Sequence, residues 1–423
     1  MDLFGAKSRA IPITQREVLD AYERVKRNKG SGGVDGVSFD VFEKDLLNNL
    51  RKIWNDLTFG RYLAKPVREV IVPKRNGGER KLGIPTIRDR IAQSVIRYRL
   101  EPRLEAIFSD NSYAYRPNRG QKESLEKVKL NTWKHAWVID MDIKSFFDEV
   151  DHELLLKALD KHVSEDWIRK YIVKWLESPV QTVKGELVER QGKGTPQGGV
   201  ISPLLSNLFL HYVLDKWLEK KYPHTKFVRF ADDIIVHCSS EENCLEMLEA
   251  IRIRLSECNL CLNEEKTKIV YCQTSRRVRR KDYSKKFDFL GFTFKPRRMA
   301  IKETGRLFIG YDYAISKVSE SRIKKSWRIL GIHKRSDKTI QDISKLVRES
   351  TMGVIKYFSC NGRTWTLKGL FYKLDFRIVK WARKKYKSMK GSYRRAYRWL
   401  EQTKLRYRYL FYHWQLFAKT TIV

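Results

Sequence analysis

Apolar positions along the chain fall into two alternating patterns. Short runs rich in Val, Ile and Phe are bounded by polar turns, and longer stretches repeat their apolar residues at helical spacing. Phe227-Val228-Arg229-Phe230 and Ile234-Ile235-Val236 flank Ala231-Asp232-Asp233. That arrangement predicts a β-hairpin with both carboxylates at its tight turn. Residues 136–148 form a second apolar run that delivers Asp140, Asp142 and Asp148 near its end. Upstream, residues 67–73 and 80–84 flank Asn76-Gly77, a hairpin signal because both residues accept positive φ. Helical spacing predicts helices over residues 14–60, interrupted by the Gly-rich stretch 28–36, over 90–108, and near 151–176 and 241–257. After Pro296 the pattern becomes helical through 313–358, with Ile323, Trp327 and Leu330, then Ile340, Ile343, Leu346 and Val347. Strands alternating with helices in this way indicate an α+β fold, an antiparallel sheet with helices on one face.

Two adjacent aspartates at the edge of an apolar hairpin repel each other, which raises the pKa of at least one. Divalent cations remove that penalty, and Mg²⁺ favours such hard oxygen ligands. Adjacent carboxylates holding a pair of metals are a usual apparatus for phosphoryl transfer. On the dipeptide alone an acidic surface turn is the better explanation. A third carboxylate delivered by the 136–148 strand would complete a metal-binding triad with Asp232 and Asp233.

Further segments narrow the choice. Gly194-Thr195-Pro196-Gln197-Gly198-Gly199-Val200-Ile201-Ser202-Pro203-Leu204-Leu205-Ser206-Asn207 lies between the two acidic strands. Val72-Pro73-Lys74-Arg75-Asn76-Gly77-Gly78-Glu79-Arg80-Lys81-Leu82-Gly83-Ile84-Pro85, Tyr113-Ala114-Tyr115-Arg116-Pro117-Asn118-Arg119 and Phe289-Leu290-Gly291-Phe292 accompany it. In content and order, across roughly residues 18–300, these segments resemble the reverse transcriptase domain of group II intron-encoded reverse transcriptase/maturases. The resemblance implies a right-hand polymerase with fingers, an antiparallel palm sheet, a helical thumb and a basic C-terminal segment. Its expected divisions are 1–110 for the N-terminal extension and fingers, 111–300 for the palm, 301–360 for the thumb and 361–423 for the basic segment. It also implies two Mg²⁺ ions on Asp142, Asp232 and Asp233, with Ile143 in the same metal shell. Asp142 is preferred to Asp140 and Asp148 because it directly precedes Ile-Lys-Ser-Phe-Phe, as the family's metal ligand does.

The same resemblance assigns the nucleotide contacts. Lys74 and Arg80, on opposite strands of the fingers hairpin, would clamp the triphosphate of a dNTP, Arg80 in bidentate fashion. Phe147 would exclude a ribose 2′-hydroxyl by bulk, the alternative being an aromatic of the palm core. Gln197 would contact nucleotide or template, with small neighbours permitting close backbone approach. Lys266 matches a lysine that protonates the leaving pyrophosphate, against the alternative of a solvated lysine at a strand end. Phe230 stands where most relatives have Tyr, a change that removes a hydroxyl worth about 1 kcal/mol and leaves metal ligation untouched. Gln197-Gly198-Gly199-Val200-Ile201-Ser202-Pro203 favours the group II branch over retron, diversity-generating and phage-defence enzymes.

Charge agrees with a nucleic-acid partner. The 423 residues carry 86 Lys and Arg against 50 Asp and Glu, a formal net charge of +36, and such a surface draws polyanions in a salt-dependent manner. Residues 361–423 hold 17 Lys and Arg against Asp375 and Glu401 alone, with aromatics interleaved. Arg383, Lys384, Lys385, Lys387, Arg394 and Arg395 are its candidate nucleic-acid contacts, with RNA and DNA both open. Expected partners are RNA template, intron RNA, DNA primer or target DNA, and dNTPs. The oligomeric state stays open. No apolar run reaches the length of a membrane span, and the N-terminus lacks a signal-peptide core, so a cytoplasmic location without membrane association is expected. The Gly-rich stretch 28–36 lacks the Lys-Ser/Thr ending of a P-loop; a flexible RNA-contacting loop is expected there. Among six cysteines, Cys258-Asn259-Leu260-Cys261 has no second ligand pair for zinc, so buried free thiols are expected. With no His/Cys-rich end, the chain resembles the endonuclease-lacking type. Two other functions remain open: a non-catalytic RNA-binding splicing chaperone, and a host-adopted repair or defence reverse transcriptase.

Overall fold

In the computed structural model the described residues are 10–73, 78–301, 303–359 and 364–418. They divide into two units, one formed by Met1–Ser124 with Trp137–Ile269 and the other by Leu125–Ala136 with Val270–Val423.

The first unit begins with the helix Gln15–Arg27, started by a capping box in which Thr14 and Glu17 satisfy each other's backbone N–H. Val18, Ala21, Tyr22 and Val25 recur at helical spacing and are buried. Helices Phe39–Glu43 and Leu46–Thr58 follow. The intervening loop is pinned rather than free: Arg90 donates from Nη2 to the Ser31 carbonyl at 2.7 Å. A Cβ on Gly33 would stand 2.7 Å from the Thr86 backbone, so only glycine allows that approach. This corrects the expectation of a flexible loop.

Strands Val67–Pro73 and Glu79–Ile84 pair antiparallel, with Val72 opposite Arg80. Their turn, including Asn76-Gly77 and Lys74, lies outside the described residues. Val67–Pro73 also runs parallel to Val180–Gln181, which pairs with Leu187–Val188. Helix Ile87–Glu105 is capped by the Thr86 hydroxyl, which accepts from the Asp89 N–H. It is buried on most sides, and its polar Asp89, Gln93 and Ser94 are buried too.

The central sheet places Trp137–Asp142 beside Asp233–Cys238, which pairs on its other side with Lys226–Phe230, all antiparallel. Val138, Ile139, Ile235 and Val236 are fully buried. Helix Glu241–Glu257 supplies Met247, Ile251 and Leu255 to the core.

In the second unit Phe287–Phe289, Phe292–Ala300 and Leu307–Ile315 form an antiparallel sheet. The long second hairpin corrects the expectation that helical structure follows Pro296. Pro296 sits within a strand, opposite Tyr311, and residues 313–315 are strand rather than helix. Phe287 and Phe294 stack with ring centroids 4.8 Å apart, a cross-strand gain that helix spacing conceals. Five helices follow: Lys317–Ile329, Ile340–Phe358, Lys368–Lys385, Tyr393–Arg406 and Tyr412–Ala418. The described part of the basic segment is therefore folded, and several of its aromatics build a core. Trp381, Phe371 and Phe411 are at most 1% exposed. Buried Asp375 accepts from His413 Nε2 and Trp414 Nε1, both at 2.9 Å, and pairs with Lys404 at 2.9 Å.

Of the cysteines, 238, 244, 258 and 272 are buried thiols, whereas Cys261 is exposed, correcting that part of the expectation; Cys360 lies outside the described residues. No helix among the described residues is long and apolar enough to cross a membrane.

Candidate active site

The site grows from strand register. Asp142, last residue of its strand, stands directly opposite Asp233, first residue of the next. Antiparallel partners have Cα atoms about 4.5–5.5 Å apart, so two carboxylates from distant parts of the sequence meet at one sheet end. Asp232 precedes them in the turn. Ala231 takes φ of +57°, a region rarely used by residues with a Cβ.

Arg229 accounts for that turn. It is fully buried. Its Nε and Nη2 bind Asp215 at 2.8 and 2.5 Å, and its Nη1 reaches Asn207 Oδ1 at 3.0 Å and the Ala231 carbonyl at 3.4 Å. Asp215 faces it from a π-helical turn, His211–Asp215. Asn207 in turn donates to the Ala114 carbonyl at 2.8 Å. This polar cluster fastens the aspartate turn from beneath.

Burial pushes the Asp232 carboxyl above its ordinary pKa; its own backbone N–H opposes, the charge of Asp142 adds to the rise, and Arg80 and Lys266 oppose it. Arg80 is thus within electrostatic reach of the carboxylates. Lys266 donates from Nζ to Asp142 Oδ2 at 2.6 Å, and Asn263 Nδ2 donates to the same oxygen at 3.2 Å. Lys266 is therefore an ion-pair partner of Asp142, and its side chain stays largely exposed. Ile143 is 2% exposed and bridges to Leu262, leaving its backbone carbonyl as its only oxygen donor. Asp140 lies two residues earlier, opposite Ile235, and Asp148 in the short helix Phe146–Glu149.

Phe147 is 9% exposed and meets Phe146 edge to face at 5.3 Å. Its carbonyl accepts from Thr195 N–H at 2.7 Å, which ties it to the loop bearing Gln197. On that loop the Gln197 carbonyl accepts from Gly83 N–H at 3.1 Å. A Cβ on Gly198, whose φ is +140°, would stand 2.6 Å from the Gly83 carbonyl. Strand Glu79–Ile84 and this loop thus touch backbone to backbone, which glycine alone permits.

Sequence reasoning passed over four contributors. Gln93 Oε1 accepts from Val200 N–H at 2.8 Å and holds the same loop. Asn263 holds Asp142, and Arg229 holds the turn that carries Asp232. Tyr115 is 52% exposed with φ of +57°. Its phenol is raised by local burial first, then by Asp232, with Arg80 opposing and Asp233 adding. The detectable signal was a single Arg inside the apolar run 227–230, since arginine is almost never fully buried unless paired. Lys74 lies outside the described residues. Arg383, Lys384, Lys385, Lys387, Arg394 and Arg395 belong to the second unit.

Among the described residues no group of three His, Cys, Asp or Glu side chains is gathered closely enough to hold a metal ion. The Lys266 ammonium forms an ion pair with Asp142 at 2.6 Å. The donor set still fits Mg²⁺: carboxylates and a backbone carbonyl are hard oxygen ligands, and no sulfur intrudes.

Residues 72–294, more than half of the chain, match the family model described as "Reverse transcriptase (RNA-dependent DNA polymerase)". Protein YkfC of Escherichia coli (strain K12) is 32% identical over 298 residues, 61% of this chain and 77% of that protein. Group II intron-encoded protein LtrA of Lactococcus lactis subsp. cremoris is 27% identical over 351 residues, 68% of this chain and 56% of LtrA. The putative COX1/OXI3 intron 1 protein of Saccharomyces cerevisiae is 27% identical over 311 residues, and the match spans 37% of its length. The sheet-end carboxylates, the fastened loop and these matches agree, and the chain belongs to the reverse transcriptase family, with group II intron-encoded proteins among its relatives.

Proposed function

We propose that the chain is the RNA-directed DNA polymerase of a group II intron, extending a DNA primer 3′-hydroxyl with dNTPs on an RNA template. The observation that carries this reading is the register of Asp142 against Asp233, with Asp232 in the adjoining turn and Arg80 acting on it. Asp142, Asp232, Asp233 and the Ile143 carbonyl are the groups that would hold two Mg²⁺ ions. Bound there, the metals would lower the pKa of the primer hydroxyl and neutralise the triphosphate.

The remaining roles belong to the chain's own residues. Arg80, with Lys74, binds the triphosphate. Gln197 sits on a loop whose backbone is fixed against the fingers strand and positions nucleotide or template. Phe147, wedged against Phe146, bars a 2′-hydroxyl. Lys266 holds Asp142 and stands ready to release a proton toward pyrophosphate. Residues 1–110 and 111–300 serve as fingers and palm, 301–360 as thumb, and 361–423 as a basic surface for intron RNA or target DNA. The likeness to intron-encoded relatives supports assistance to splicing as a maturase.

The test is primer extension on an RNA template with Mg²⁺ and dNTPs. Template-dependent DNA product is expected; binding of structured RNA without any extension would favour a splicing chaperone instead.

A further inference from the structure

In the helical unit, the turn Ile332–Lys334, the C-terminal part of Lys368–Lys385 and the segment leading into Tyr393 border a cavity of about 490 Å³. His333, Lys380, Arg383, Lys384, Lys387 and Lys390 line it, and no carboxylate does. Arg383 is held rather than solvated. Its guanidinium lies 3.6 Å from the Tyr393 ring centroid, and Tyr393 stacks in turn on Phe376 at 5.8 Å. Its Nε is buried without a hydrogen-bond partner among the described residues. His333 sits among like charges: its basicity is lowered by burial first, then by Lys384, Lys334, Lys380 and Arg377.

A wall with this many cations and no anion calls for a polyanion, and an oriented arginine fork suits phosphate. The shape narrows the partner further. A phosphate on a duplex lies on a convex ridge and needs only a flat basic surface. A cavity of this size falls in the range of small-molecule sites, about 300–1,000 Å³, and has room for a base and sugar as well.

We propose that this cavity is a binding site for one unpaired nucleotide of a nucleic-acid strand, with its flanking phosphates on the lysines and Arg383. The proposal rests on the nucleic-acid reading above and adds a discrimination that a basic surface alone lacks: unpaired against paired strands. Ribose and deoxyribose strands share the chemistry invoked.

The experiment is fluorescence anisotropy with the full chain and three labelled 12-nucleotide probes: single-stranded RNA, single-stranded DNA and blunt duplex DNA. Arg383→Gln/Lys384→Gln and, as a second pair of exposed positions, Lys384→Gln/Lys387→Gln are compared with Arg394→Gln/Arg395→Gln. Each variant loses two positive charges, and circular dichroism checks its fold. Either cavity pair is expected to weaken single-strand binding roughly tenfold, because the nucleotide seated in the cavity loses cations that hold its flanking phosphates. The duplex should weaken less than about threefold, since only counterion release is lost there. The Arg394/Arg395 pair should weaken all probes alike. The RNA and DNA arms show which strand the cavity takes. Equal losses on single strands and duplex from both cavity pairs would overturn the cavity while leaving nucleic-acid binding intact. Failure of the unaltered chain to bind any probe would overturn the nucleic-acid reading itself.

Discussion

Replacing Arg229 by Met tests how the aspartate turn is held. The exchange keeps an unbranched aliphatic stem but removes the guanidinium, which leaves Asp215, fully buried, without its bidentate partner. It also removes donors to Asn207 Oδ1 and the Ala231 carbonyl. Breaking one side of a buried ion pair costs about 3–5 kcal/mol, because the remaining charge is uncompensated. For a unit of some 250 residues, each kcal/mol corresponds to roughly 2–4 °C, so the melting midpoint should fall by about 10 °C. The companion variant Arg229→Met/Asp215→Leu removes both charges and should recover most of that loss, since a well-packed apolar pair is often neutral or better. Thermal unfolding by circular dichroism reads both values. Primer extension at a temperature where both variants are folded then separates stability from positioning. Even the double variant should extend slowly, because nothing donates to the Ala231 carbonyl. A midpoint for Arg229→Met within about 2 °C of the unaltered chain would refute the reasoning.

Three further outcomes are expected. His211 is buried with neither ring nitrogen hydrogen-bonded, and burial, then Lys216 and Arg229, lower its pKa to about 4. The unfolded chain takes up this proton below about pH 6.5 and the folded chain does so only near 4. Stability is therefore complete above about pH 6.5 and should decline by up to roughly 3 kcal/mol as pH falls to 4; urea unfolding of His211→Phe should show a shallower decline. Phe147→Val should raise rNTP relative to dNTP incorporation at least roughly tenfold, about 1.4 kcal/mol, in competitive extension; an unchanged ratio in an active variant returns Phe147 to a packing role. Neutralising Arg383, Lys384, Lys385 and Lys387 together should flatten the slope of log affinity against log salt by roughly two to four units, while extension of a short pre-annealed primer–template suffers less.

The parts of the fold most legible in the sequence were those whose periodicity and turn chemistry agree. The 137–142 and 226–238 strands read directly from Val/Ile-rich runs that meet at Asp, and the helix expected over 90–108 is present but begins earlier, at Ile87, where Thr86 caps it. The Phe292–Ala300 hairpin strand was missed because Pro296, Arg297 and Arg298 dilute its alternation, and its stability comes from cross-strand partners such as Tyr311 and Tyr313. The site was legible where its residues stand in contiguous motifs. Asn263, Gln93 and the Arg229–Asp215 pair escaped because their partners are 121, 107 and 14 residues away, distances over which no local pattern operates. The interleaved aromatics of the basic segment could serve either a core or a stacking surface, and Trp381 and Phe371 are core.

The central claim is that Asp142, Asp232 and Asp233 act together as the metal-holding carboxylates of a polymerase. Its most direct test is Asp232→Asn, an isosteric change that removes one negative charge, assayed by primer extension on RNA in Mg²⁺ beside binding of the same RNA. Extension should be abolished while RNA affinity and melting midpoint stay close to those of the unaltered chain. Full-rate DNA synthesis by Asp232→Asn would contradict the assignment.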